Sequence, residues 1–307
     1  MISFVIRKLV NGLVTLLLAV TIAFILARGT GNPVREMLGE LATEDQVHAL
    51  SAQLGFDRPI LVQYFSFLRG IFTGDLGTSI RYGTSNLDLI ASRLPASLTL
   101  AVGAMIIAIV LGVPLGVWAA VREGKAVDRL ASGVALLGQS VPLFWLGLML
   151  ILVFAVNLGW LPAGQAGSVS SVVLPSVTLA MLPLAQIARL TRSGMTEVLG
   201  EVFMVATGAR GIPAWRRIFV HGFRNASLPV VTIVGLQTGA LLSGAVTVEY
   251  VFAWPGLGSL ATKAVQTRDF PLVQAIVVFG ALVFVVINLV VDVLYGVLDP
   301  RARDGVK

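Results

Sequence analysis

Long apolar stretches dominate the pattern of hydrophobic and polar positions along this chain. About 20 helical residues cross the roughly 30 Å hydrocarbon core of a bilayer, so six stretches are long enough to be spans. They are Leu9–Ala27, Ala96–Ala120, Leu130–Leu158, Val172–Ala188, Asn225–Val248 and Pro271–Val291. The pattern predicts an all-α polytopic membrane protein with about six transmembrane helices. The third stretch is long enough to tilt or to protrude.

The first apolar stretch differs from a secretory signal peptide. Its length exceeds the roughly 7–15 residues of a signal-peptide core. Ile25 stands where a cleavage site ending at Ala27 needs a small residue. We therefore expect the first stretch to be kept as a transmembrane helix.

Basic residues predict the orientation of the spans. With the N-terminus inside, most Lys and Arg residues fall on the inner side, and the short outer loop Gly159–Ser171 carries no charge. The positive-inside rule then places both termini in the cytoplasm. The inner basic residues are Arg7, Lys8, Arg122, Lys125, Arg129, Arg189, Arg192, Arg210, Arg216, Arg217, Arg224, Arg301, Arg303 and Lys307. The net charge of +6 thus follows from topology, and we expect no nucleic-acid partner.

The segment between the first two spans carries helix signals of its own. Thr43 and Gln46 form a capping-box pattern, and Gly55 is placed to end that helix. Ile60–Phe72 predicts a second, apolar helix that ends at Gly74. At a minimum these helices pack on the outer mouth of the bundle. Contact with a delivered ligand or its carrier is the functional alternative.

Composition agrees with a membrane protein and excludes several kinds of site. Hydrophobic residues make up 56% and charged residues 12% of the chain, and the mean hydropathy is +0.90. Soluble proteins carry about twice that charged fraction. The absence of cysteine excludes disulfides and thiolate metal sites. The two histidines, His48 and His221, are far apart in sequence, so we expect no metal site.

No residues predict an energy source within the chain. The phosphate-loop pattern G-x-x-x-x-G-K-[ST] fails because Ala119 replaces its first glycine and Ala126 its hydroxyl residue. An ion-coupled secondary transporter needs ionisable groups within its spans, whereas we place Asp292 and Glu249 at span ends. The H-E-x-x-H and G-x-S-x-G motifs of enzymes are absent. We infer a non-enzymatic transport subunit that is driven by another subunit.

Polar residues within the spans are uncharged, and such residues more often bond a neighbouring helix than line a path. They are Gln139, Ser140, Asn157, Gln186, Gln237, Thr238, Ser243 and Asn288. Gly112-x-x-x-Gly116 and Gly235-x-x-x-Gly239 allow close helix approach, either within this chain or against a partner.

The inner segment Thr191–Pro229 is the most informative stretch. Met195–Val205 predicts one short helix, which Gly208 and Gly211 bring to an end. Ala214–Phe223 predicts a second short helix. Two such helices meeting at glycines would give a partner protein a compact surface, and a generic basic loop is the alternative.

The residue order of this segment, Glu201–Gly211 followed by His221–Pro229, resembles the cytoplasmic coupling loop of ABC importer permeases. More narrowly, it resembles the dipeptide/oligopeptide/nickel permease family. Further family-like runs follow in order along nearly the whole chain. They are Leu54–Pro59, Gly74–Ser79, Arg93–Pro95, Val141–Gly147, Leu158–Pro162, Leu174–Leu179, Val248–Gly258, Arg268–Pro271 and Asp299–Arg301.

The resemblance implies a type I ABC importer transmembrane domain in a bacterial inner membrane, surrounded by lipid. Its expected partners are a second homologous permease, two ATP-binding subunits and an extracytoplasmic substrate-binding protein. ATP and Mg would be bound by the ATPase subunits, and this chain would bind no cofactor. The substrate is expected to be a di- or oligopeptide, with nickel complexes, glutathione-like peptides or another small solute as alternatives.

The resemblance also assigns residues and regions. Glu201, Ala206 and Gly211 match the family pattern by position and are expected to be ATPase-coupling residues. Thr207 and Gly208 lie between them and are expected to belong to the same coupling loop, although the family usually has other residues there. No residue of the substrate pathway is assigned. We expect a first transmembrane helix at 1–28 and an extracytoplasmic segment at 29–94. The permease domain is expected at 95–296, with the coupling loop at about 191–224, and a cytoplasmic tail at 297–307.

Overall fold

The computed structural model describes residues 2–29, 42–164 and 166–298, together with Val34 and Leu38. The predicted tail beyond Leu298 lies outside these residues. In the described part of the chain, all regular elements are helical apart from one isolated bridge between Thr78 and Ser85. The helices are α1 (Ile2–Gly29), α2 (Glu44–Leu54), α3 (Ile60–Thr73), α4 (Asn86–Val121), α5 (Ala126–Ser140), α6 (Leu143–Leu150), α7 (Val169–Leu199), α8 (Val202–Ala209), α9 (Ala214–Arg216), α10 (Phe223–Val251), α11 (Leu257–Gln266) and α12 (Phe270–Leu298).

Within the described residues, five helical stretches are long and apolar enough to cross a membrane alone, and they confirm five of the six predicted spans. They are Ile6–Leu26, Asn86–Val121, Val169–Leu199, Ala214–Leu241 and Phe270–Val291. The sixth predicted span is present only if α5 and α6 are counted together. α6 continues in π-helical form over Ile151–Asn157, so this pair covers Ala126–Asn157.

The prediction of one continuous helix over Leu130–Leu158 is wrong. α5 and α6 meet at an angle of 107°. Pro142 precedes α6, and Val141 before it is extended at φ −79° and ψ 125°. A proline disfavours the helical conformation in the residue before it and has no N–H to donate, so the helix ends there.

The two short helices predicted within the inner segment Thr191–Pro229 also differ from the structure. Met195–Val205 is not one helix, because α7 continues to Leu199 and α8 starts afresh after a turn at Gly200. Ala214–Phe223 is not separate from the fifth span either. It continues through a π-helical stretch, Arg217–Gly222, into α10, because no proline or left-handed glycine interrupts it.

α4 and α7 pack together at the centre of the bundle through small residues. A Cβ at Gly116 would collide with the carbonyl of Ala188, and one at Gly235 would collide with Val291 of α12. Both glycine motifs therefore serve helix packing within this chain. The buried core around α4, α7 and α10 comprises Leu100, Ala101, Ala104, Ala108, Leu174, Leu179, Ala180, Leu184, Ile187, Val230, Leu241, Ala245, Val248, Phe252 and Trp254.

The helices of the segment before α4 form as predicted. The capping box of Thr43 and Gln46 is present at α2, and Gly55 ends that helix in a left-handed conformation. α3 lies against α1, where the hydroxyls of Tyr64 and Thr21 are hydrogen-bonded at 2.7 Å. This contact joins the segment to the first span.

Candidate functional site

The two ends of α10 define the two ends of the bundle. We call the end with α8 and α9 the α8 end, and the end with α11 the α11 end. α7 starts near the α11 end, where Gly164 packs against the backbone of Phe252, and it finishes at the α8 end. The predicted coupling residues Glu201, Ala206, Thr207, Gly208 and Gly211 lie together at the α8 end, on α8 and in its flanking turns.

α8 is held to the bundle mainly by one side chain. Met204 is the buried residue of this helix, at 3% exposure. Its methyl group lies beside that of Met195 on α7, and both cover Gly222. Glu201 precedes α8 with an extended backbone, is exposed and makes no side-chain cap. Met204 is thus the one buried side chain that this eight-residue helix packs against the bundle.

The opposite face of α8 is an exposed apolar stripe. Val202 is 81% exposed and Val205 69%, and Ala206 and Ala209 are also exposed. These positions are spaced i, i+3, i+4 and i+7, so they lie on one helix face. An exposed apolar stripe outside the spans is typical of a surface that contacts another protein or the membrane.

The glycines that follow have distinct structural roles. Gly211 has φ +74° and is exposed, which confirms the positive φ predicted for the residue that ends this helix. A Cβ at Gly208 would meet the guanidinium of Arg217. The small size of Gly208 therefore serves a contact within the chain. Thr207 donates its hydroxyl to the carbonyl of Met204 at 2.8 Å.

The α11 end contains a fully buried carboxylate. Glu249 lies in the last turn of α10, which extends to Val251, and its side chain is fully buried. The hydroxyl of Ser97 on α4 donates to the Glu249 carboxylate at 2.6 Å, and the Ser259 N–H donates at 3.0 Å. Ser97 Oγ in turn accepts the N–H of Leu257 at 2.8 Å. These bonds join α4, α10 and α11.

A second buried carboxylate follows α11. Asp269 accepts hydrogen bonds from the Ser79 hydroxyl at 2.5 Å and from the Arg81 N–H at 3.3 Å. The only described non-glycine residues with positive φ, Ala253 at 48° and Arg268 at 54°, lie just before and just after α11. α11 is therefore fixed at both ends.

The polar residues of the spans were predicted to hydrogen-bond neighbouring helices, but most of those described bond the backbone of their own helix. Gln237 Nε2 donates to Gln186 Oε1 at 2.6 Å, which joins α10 to α7. Gln139, Ser140, Thr238 and Asn288 each donate to the carbonyl four residues earlier. Within the described residues, no three His, Cys, Asp or Glu side chains are grouped as metal ligands.

Comparison with solved structures identifies the fold. The inward-facing MetNI methionine ABC transporter, in its CY5 native crystal form, matches with a TM-score of 0.54 at 18% identity. The match covers 69% of this chain and 97% of that chain. The same transporter in its selenomethionine-soaked form gives a TM-score of 0.57. The fold is therefore that of a type I ABC importer transmembrane domain.

Sequence comparison then identifies the family. The family described as "Binding-protein-dependent transport system inner membrane component" matches residues 112–304, and its N-terminal counterpart matches residues 1–101. The dipeptide transport system permease protein DppB of Escherichia coli K12 is 41% identical over 305 residues, covering 89% of this chain and 90% of the relative. The glutathione transport system permease protein GsiC of Salmonella paratyphi A is 40% identical over 304 residues, covering 99% of both.

The chain belongs to this family of inner-membrane permease components. The family predicted from the ordered motifs is thereby confirmed, as is the all-α multi-pass architecture. Motif-based reasoning missed the buried anchors Glu249 and Asp269. A carboxylate at the end of an apolar run, as in Val246-Thr-Val-Glu249, was the signal that could have found the first.

Proposed function

We propose that this chain is the permease subunit of a peptide importer and acts with a second, homologous permease. Two separate ATPase subunits would supply the energy, with ATP and Mg bound by them, and a soluble binding protein would deliver the substrate. The exposed apolar stripe of α8 carries this proposal, because a family component of this kind needs a protein-binding surface at the ATPase side.

The α8 end is proposed to face the cytoplasm, with both termini on that side. Arg210, Arg216 and Arg224 follow the apolar stripe in sequence, and basic residues collect on the inner side of membrane proteins. Cysteine labelling tests this cleanly because the chain has no cysteine. Arg303→Cys should be protected from an impermeant reagent in intact cells, and Ser170→Cys should react. The reverse labelling pattern would contradict the proposed topology and would place the C-terminus outside.

The proposed substrate class is small peptides. The relatives that support it are named as dipeptide and glutathione transport permeases. Uptake of labelled dipeptide by the reconstituted complex, in competition with longer peptides, glutathione and nickel, would define the class. Competition by nickel alone would favour the alternative of nickel complexes.

The coupling role of Glu201–Gly211 can be tested in the full complex. Gly211→Val forces a β-branched residue into a left-handed conformation, and Ala206→Trp adds bulk to the exposed stripe. Both variants should assemble normally and hydrolyse ATP without matching uptake. Gly159→Val is the control, since Gly159 has φ +62° and open space around it but lies far from α8.

The readouts are substrate-stimulated ATPase activity and uptake, measured at equal assembly. Uptake per ATP should fall in both α8 variants and stay at the wild-type value in Gly159→Val. Normal coupling in Gly211→Val and Ala206→Trp would remove α8 as the contact with the ATPases. The isolated chain should hydrolyse no ATP. ATP hydrolysis by the pure chain would contradict the proposal that separate ATPase subunits supply the energy.

A further inference from the structure

A charged pair joins α5 to α7 at the α8 end of the bundle. Arg192 on α7 donates from Nε to Asp128 Oδ1 and from a terminal nitrogen to Asp128 Oδ2, the latter at 2.9 Å. Asp128 lies in the first turn of α5 and is buried at 6% exposure. It also accepts the N–H of Gly124 at 2.9 Å. A bidentate ion pair of this kind constrains the relative orientation of the two side chains as well as the distance between them.

Side-chain packing around this pair is incomplete. A cavity of about 120 Å³ lies between α4, α5 and α7, next to Arg192, and its lining includes Gly116, Ser132, Ala135 and Arg189. Farther along, α5 also approaches α7 closely, and a Cβ at Gly138 would come within 3.1 Å of the Met181 carbonyl. The ion pair is the polar contact that joins the start of α5 to α7.

The ion pair links the helix that leads to α8 with the helix that leads to the 107° bend. From Arg192, α7 continues without a break to Leu199, and α8 begins at Val202. On the other side of the pair, α5 leads to the 107° bend and to α6. A displacement of α8 that moves the end of α7 would reach the bent α5–α6 pair through Asp128.

We propose that Asp128 and Arg192 are positioning residues that transmit movement of α8 to the bent α5–α6 pair. This inference rests on the proposed function, in which α8 contacts an ATPase. Neither residue touches substrate or nucleotide in this scheme. Their role is to make α5 move together with α7. The cavity beside the pair leaves space in which α5 can stay in place while α7 moves, when the pair is absent.

Neutral variants test the pair in the reconstituted full complex. Asp128→Asn and Arg192→Gln should each lower uptake per ATP hydrolysed by about tenfold at equal assembly, a typical size for energetic coupling between sites. Arg189→Gln is the matched control, because Arg189 lies one turn earlier, lines the same cavity and is not ion-paired among the described residues. It should stay within about twofold of wild type. Wild-type coupling in Asp128→Asn would overturn the inference.

Chemical rescue separates a charge-dependent role from a general loss of stability. The chain has no cysteine, and the Arg192 side chain is 33% exposed, so Arg192→Cys is open to thiol reagents. Aminoethyl methanethiosulfonate restores a positive charge there, whereas the sulfonatoethyl reagent installs a negative one. Intact mass would confirm complete labelling, and wild-type complex treated in parallel would correct for cysteines of the partner subunits.

The inference predicts that only the positively charged adduct recovers uptake per ATP, to at least about half of wild type. Equal recovery with both reagents, or with neither, would overturn it. Failure of the proposed function is a different result. It would appear as unchanged coupling in Gly211→Val and Ala206→Trp, or as no ATP-driven uptake by the wild-type complex.

Discussion

The two ends of the bundle hold their short helices in opposite ways. α11 is bracketed by buried Glu249 and Asp269, each of which bonds a serine from a distant part of the chain. α8 is eight residues long, has one buried side chain, Met204, and otherwise approaches Arg217 through Gly208. Hydrogen bonds to buried carboxylates are directional and costly to break. An apolar contact is non-directional, so it allows α8 to shift against the bundle. The comparison indicates a rigid α11 end and an adjustable α8 end.

The largest effect on stability is expected for Glu249→Leu. Removing this carboxylate leaves the hydroxyl of Ser97 and the N–H of Ser259 buried without their acceptor. We expect a loss of about 3 kcal/mol of unfolding free energy. The apparent Tm of the purified complex in detergent measures it. Glu249→Gln keeps an acceptor and should lose clearly less. An equal Tm for Glu249→Leu and wild type would mean that α11 is not anchored there.

Met204→Ala should affect the α8 end without reaching the rest of the bundle. The cavity left beside Met195 and Gly222 should cost about 2 kcal/mol. Because only α8 depends on this contact, amide hydrogen exchange should accelerate in α8 while the Tm of the complex stays near wild type. Val205→Ala, on the exposed face of the same helix, is the control. A large fall in Tm would show that α8 supports the whole fold.

Ser79→Ala should weaken the second anchor of α11. Asp269 keeps the Arg81 and Leu272 N–H groups as donors, so the loss should be about 1 kcal/mol. Ser92→Ala, which removes only a bond to the nearby Leu89 carbonyl, should be close to neutral. The two variants are compared by Tm under identical conditions. The anchor would be of no consequence if Ser79→Ala behaved like Ser92→Ala.

Val205→Ser should have the smallest effect on stability and still lower coupling. Val205 is 69% exposed, so its replacement should change unfolding free energy by less than about 0.5 kcal/mol. Since the change makes the proposed contact stripe polar, uptake per ATP in the full complex should fall. Full uptake in this variant would show that the stripe is only a solvated helix face.

Local signals in the sequence were sufficient for much of this architecture. Apolar length predicted the spans, the capping box predicted the start of α2, and Gly211 was predicted to have a positive φ. Each of these depends on residues that are neighbours in the chain. The bend before α6 also had a local signal in Val141-Pro142, but a continuous helix was predicted there from hydropathy alone.

The anchors could not be predicted in the same way because their partners are far apart in sequence. Glu249 and Ser97 are separated by 152 positions, and Asp128 and Arg192 by 64. A single sequence does not relate such positions until the helices have packed. The internal contact of Gly208 with Arg217 was missed for a related reason, because it depends on where the π-helical stretch Arg217–Gly222 lies relative to α8.

The bend between α5 and α6 has a consequence for how the chain enters the membrane during synthesis. α5 has 15 residues, so at 1.5 Å per residue it is only about 22 Å long, short of the roughly 30 Å hydrocarbon core. α6 with its π-helical extension is equally short. Neither half is long enough to span the hydrocarbon core alone. We therefore expect stable integration of this region to need the neighbouring α7, to which the Asp128–Arg192 pair joins α5.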